Sequence, residues 1–100
     1  MNIEVTSRHQ DIPDALRTYA SERISNIERF GEEFQRSEVV FDHHANTVEC
    51  EVILHRVKGT PIVATDSAED GRSAVDGVAS KLERQFLKLK EKQVDRNHGH

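Results

Sequence analysis

EVVFDHHANTVECEVILHRV, residues 38–57, decides the fold. Two runs of alternating character flank the turn-forming pair Ala45-Asn46, which predicts an antiparallel hairpin with strands Glu38–His44 and Thr47–Val57. Val39 and Phe41, then Val48, Cys50, Val52 and Leu54, fall on one face, leaving Asp42, His44, Glu49, Glu51 and His55 on the other. After a second turn pair, Lys58-Gly59, residues Thr60–Thr65 extend the meander by one strand. One side of the sheet is apolar and the other polar.

Working outward, Ile3, Val5 and Ser7 alternate with polar neighbours and predict a first strand over 2–8. Asp11-Ile12-Pro13-Asp14 starts a helix over about 13–30, with Pro13 at its first position and Asp14 at the positive end of the dipole. Its buried stripe is Leu16, Tyr19, Ala20, Ile24, Ile27 and Phe30, and Gly31 ends it. Ser67 with Asp70 has capping-box spacing and opens a second helix running to about residue 94, followed by a frayed tail over 95–100. The order β-α-β-β-β-α predicts an α+β domain over 1–94 in two layers, both helices on the apolar face of a four-stranded sheet. The first crossover is expected to be right-handed, with strands one and two parallel.

One hundred residues at 35% hydrophobic content support one small domain. Cys50 is alone, and no apolar stretch is long enough for a leader or a membrane span, which points to a soluble protein in a reducing cytoplasm; a monomer is expected. Charge is uneven: residues 1–70 carry net −7 and residues 71–100 net +3 within a total of −4. Such a split points to a polyanionic partner approached by one face.

The positive charge concentrates in KLERQFLKLKEK, residues 81–92. At about 100° per residue, Val75, Val78, Ala79, Leu82, Phe86 and Leu89 form one arc, while Lys81, Arg84, Lys88 and Lys92 form a basic ridge elsewhere. Glu83 projects too far round to neutralise the ridge, Glu91 flanks it, and Lys90 lies apart. Arg23 on the first helix could join it if the helices lie side by side. The bland alternative is a solvated surface helix. Against it stand the acidity of the remaining chain and the poor use of i,i+4 ion pairs. Few Asn or Gln are set for base edges, which favours folded RNA over sequence-read DNA. Tyr19, Phe30, Phe41 and Phe86 have core-like spacing, which argues against a stacking platform for single strands.

VTSRHQDIPDALR (5–17), SAEDGRSAVDG (67–77) and KLERQFLKLKEK, in this order with three strands between, resemble the ribosome hibernation-promoting factor and ribosome-associated inhibitor family. The resemblance covers nearly the whole chain. It implies a fold similar to double-stranded-RNA-binding domains, and a bacterial protein seated on 16S rRNA in the messenger and transfer RNA channel of the small ribosomal subunit. There it would block translation under stress or in stationary phase. Carried over by position, the RNA-binding residues are Arg23, Lys81, Arg84, Lys88, Lys90 and Lys92, with Arg8, in a segment similar to the family's Gly-Arg-His turn, a weaker candidate. Asn26 stands where relatives often have lysine, and Gly71-Arg72 where they have Met-Tyr. The chain resembles the short form, which implies a separate protein for pairing ribosomes.

His43, His44 and His55 on neighbouring strands and His98 and His100 near the end raise a metal site, but no Cys or carboxylate completes a ligand set at recognised spacing. No nucleophile elbow or phosphate loop is present, and Cys50 alternates with Glu49 and Glu51 as a small core residue does, so neither enzyme activity nor a cofactor is expected. Two other functions stay open: a protein-interaction module using the acidic sheet face, and a general double-stranded RNA binder.

Overall fold

The computed structural model describes residues 2–27 and 34–98, with side chains in the last helix through Lys88. The 38–57 stretch forms the centre of the sheet. β2 (Phe34–His44) and β3 (Thr47–Arg56) pair antiparallel with His44 opposite Thr47, so Ala45-Asn46 closes the predicted two-residue turn. β1 (Asn2–Ser7) runs parallel to β2, and β4 (Ile62–Ala68) runs antiparallel to β3, giving the sheet order β1-β2-β3-β4. A parallel pair needs a crossover, which contains α1 (Asp14–Ser25).

Register turns the period of two into rows across the inward face. Val5, Val39, Val52 and Ala64 form one row, and Ile3, Ser37, Leu54 and Ile62 another. A third runs Ser7, Phe41, Cys50 and Asp66, ending in a charge at the sheet edge. Both helices cover this face: Ala20, Ile24 and Ile27 after and within α1, and Ala74, Val75, Val78, Ala79, Leu82 and Phe86 of α2 (Gly71–His98), are buried with the inward strand residues. Phe86 meets Phe34 at 5.4 Å between ring centroids. Each buried Val, Ile, Leu or Phe among them contributes about 1.5–3 kcal/mol, and each alanine methyl about 0.8 kcal/mol.

The predicted element ends move, each for a local reason. β2 begins at Phe34 rather than Glu38, because Phe34 reaches the core through an irregularity in register before Arg36. β4 is shifted to Ile62–Ala68: Pro61 has no N–H for a ladder, while β3 offers partners as far as Val48, opposite Ala68. Ser67 is therefore a strand residue and forms no capping box. Asp70 caps α2 instead, its Oδ1 accepting the Ser73 N–H at 2.8 Å and its Oδ2 the Ser73 hydroxyl at 3.1 Å. Pro13 sits one position before α1, with extended ψ of 147°, and its carbonyl accepts from the N–H groups of Leu16 and Arg17. α1 ends at Ser25; Phe30 and Gly31, on which its predicted end rests, lie outside the described residues. α2 continues to His98, beyond the end predicted near 94.

Candidate nucleic-acid interface

Lys81, Arg84 and Lys88 stand on one exposed side of α2, as their spacing predicts, and the helix backbone continues through Lys90 and Lys92, whose side chains lie outside the described set. Their surroundings differ. Lys81 leans on the sheet edge: its Nζ donates to the Thr65 carbonyl at 2.7 Å and lies 3.4 Å from Asp66 Oδ1. Arg84 and Lys88 are exposed and have no ion pair among the described residues. Beside Lys88 a cleft of about 340 Å³ opens between α2 and the start of β4, lined also by Arg56, Pro61, Val63 and Gln85.

Arg23 does not join this ridge. α2 turns Asp76 and Glu83 toward α1 on one flank and Lys81 toward β4 on the other, and Arg23 lies in the seam, 3.5 Å from Asp76 Oδ1 and 3.4 Å from Glu83 Oε1. Glu83, too far round the helix to offset the ridge, offsets a cation from the neighbouring helix. The Tyr19 hydroxyl donates to Asp76 in the same seam; that bond, and then burial, raises its pKa. Arg72 stacks over the Tyr19 ring at 4.8 Å, and the methyls of Leu16 fill the space a side chain at Gly71 would need. Gly71 and Arg72 thus both pack against α1.

Arg8 belongs to the other layer. It follows β1 on the open sheet face, 3.6 Å from both Asp42 Oδ2 and Glu51 Oε1. That face is partly neutralised by its own neighbours. His9 Nδ1 lies 2.7 Å from Asp42 Oδ1, and His55 Nε2 lies 2.6 Å from Glu38 Oε2; these hydrogen bonds hold both carboxyls below their ordinary pKa. Burial, with Asp66, Glu49 and Glu51 nearby, pushes the Cys50 thiol up to about 12, far from a thiolate nucleophile. No described helix is long and apolar enough to cross a membrane.

Sequence reasoning missed Asp66, Asp76 and Glu83 as partners of the cations. Asp66 had a signal: alternation through β4 puts it on the inward face with Ile62 and Ala64, where a carboxylate needs a donor.

The structure is a two-layer α+β domain that turns Arg84 and Lys88 to solvent along one helix. Residues 3–94 match the family described as sigma 54 modulation protein / S30EA ribosomal protein, and the chain belongs to that family, whose members are ribosome-binding regulatory proteins and not enzymes. It is 36% identical over 99 residues to a ribosome hibernation promoting factor of Azotobacter vinelandii, covering 99% of this chain and 92% of the relative. It is 29% identical over 92 residues to the protein of that name in Escherichia coli K12, covering 92% and 96%. A ribosomal subunit interface protein from Coxiella burnetii superposes with a TM-score of 0.82 at 25% identity, covering 91% of this chain and 99% of that one. The N-terminal domain of Thermus thermophilus Protein Y shares the fold with a TM-score of 0.78 at 23% identity, covering 89% and 99%.

Proposed function

We propose that this chain is a ribosome hibernation factor of the bacterial cytoplasm. It docks on the 16S rRNA of the small subunit through the outer side of α2, occupies the path of messenger and transfer RNA, and stops translation by steric exclusion under stress or in stationary phase. The observation that carries this reading is the exposed, unpaired state of Arg84 and Lys88 among the described residues of a chain whose net charge is −4. Lys90 and Lys92 extend the same basic segment. The names of the relatives support it independently.

Lys81 and Arg23 contribute from paired positions: both keep partly exposed side chains, so phosphates can compete for them with Asp66, Asp76 and Glu83. Arg8, on the opposite layer, is not a contact in this arrangement.

Co-sedimentation with 30S subunits at graded salt tests the reading. Wild-type association weakens as salt rises, with a log–log slope of about 0.7–0.9 per phosphate neutralised. Arg84→Glu with Lys88→Glu lowers binding at every salt concentration and flattens that slope by about 2. Association that ignores salt, or a double variant that binds as wild type does, overturns the assignment.

A further inference from the structure

The hairpin that decides the fold also gathers groups with no part in the α2 interface. Asp42 and Glu49 are direct cross-strand partners, a placement in which like charges repel. His44, two residues beyond Asp42, shares their face, and one ligand atom from each of the three lies within 4.8 Å of the others. Spacing along the chain hid this set, because Asp42 and Glu49 meet only through the turn and its register.

Asp42 has an oxygen to spare. Its side chain is only 10% exposed. Oδ1 accepts the His43 N–H at 2.9 Å and faces His9 Nδ1 at 2.7 Å. Oδ2 has no donor within hydrogen-bond distance among the described residues: Arg8 Nη1 is 3.6 Å away and His44 Nε2 4.0 Å. Glu49 has no ion pair among the described residues. A sheltered carboxylate oxygen thus lies beside an imidazole nitrogen and a second carboxylate, with the Arg8 guanidinium, 3.6 Å away and shared with Glu51, as its one ion-pair partner of fixed charge among the described residues.

We infer that Asp42, His44 and Glu49 form a binding site for a divalent transition cation of the zinc class. Zinc binds imidazole nitrogen and carboxylate oxygen at about 2.0–2.2 Å, so one ion spans the gap between Asp42 Oδ2 and His44 Nε2. The imidazole selects against magnesium and calcium, which take oxygen ligands. His9 is the positioning residue, fixing the Asp42 carboxylate from behind. Arg8 yields the site by keeping its contact with Glu51. The site lies on the sheet layer, so it stands whether or not α2 binds ribosomes.

Zinc alone, titrated calorimetrically into the chain carrying His98→Ala and His100→Ala, tests the inference without interference from the terminal imidazoles. The expected result is one ion per chain and a higher Tm, with His44→Ala and Glu49→Gln each weakening binding at least about tenfold, and His9→Ala by about ten- to a hundredfold. His44 is exposed and Glu49 half-buried, so both variants fold, which amide NMR spectra verify. No binding in the His98→Ala, His100→Ala chain, unchanged affinity in His44→Ala and Glu49→Gln, or magnesium binding as tightly as zinc would each overturn the inference.

Discussion

Ser37 sits in the apolar row between Ile3 and Leu54, fully buried, with its hydroxyl lacking any partner among the described residues. An unsatisfied buried hydroxyl costs about 1–3 kcal/mol, so Ser37→Ala is expected to stabilise the fold by about 1 kcal/mol, read as a rise in Tm. Asp42 and Glu38 carry the pH dependence of the open face. Their pKa values are depressed by hydrogen bonds with His9 and His55, so the stability they add is complete above the ordinary values of 3.8 and 4.5 and disappears as pH falls through the lowered ones. Carboxyl NMR titration should place both midpoints below those values, and His9→Ala should move that of Asp42 upward while leaving that of Glu38 in place. Cys50, fully buried with its thiol held at about 12, should react with a thiol reagent only on unfolding. Burial of Cys50 was readable from its place between two glutamates; the empty hydroxyl of Ser37 was not, because Ser37 preceded the predicted strand.

At the scale of elements, α2 shows what local pattern can and cannot deliver. Its apolar stripe follows from a period of 3.6, and Val75, Val78, Ala79, Leu82 and Phe86 are all buried as that period demands. Its start depends on where β4 stops, and β4 runs to Ala68 because β3 supplies partners that far. The cap therefore passes from Ser67 to Asp70. Asp70→Ala should destabilise the fold by about 1 kcal/mol in denaturant unfolding. At Gly77, α2 leaves room for a side chain of β4: a Cβ there would lie 1.7 Å from Asp66 Oδ2. Alanine gains about 1 kcal/mol in helix propensity over glycine, yet Gly77→Ala should still lower Tm, because Asp66 must give up its contact with Lys81. Gly77 reads in the sequence only as a weak spot in a helix; its reason lies across the layer boundary.

For the whole molecule, the two layers separate charge. The helix layer turns Arg84 and Lys88 to solvent, and the sheet layer turns out Glu4, Glu49 and Glu51. Internal pairing then sets how many cations stay available at the surface: Asp66 engages Lys81, while Asp76 and Glu83 engage Arg23. Asp66→Asn should release Lys81, tighten association with 30S subunits at low salt and steepen the salt dependence by about 1 in the log–log slope. A variant with wild-type salt response would show that Lys81 stays on the Thr65 carbonyl and takes no share in binding.

Element types, their order and the faces they bury could be read from the sequence because periods of 2 and 3.6 are local: neighbours a few residues apart already say which side meets water. The ridge of Lys81, Arg84 and Lys88 was visible for the same reason. Only the tertiary structure decided which cations remain available, where β4 yields to α2, and that Asp42, His44 and Glu49 converge. Each of these depends on a partner brought from a distant part of the chain by strand register or helix packing, and no spacing along a single element encodes that distance.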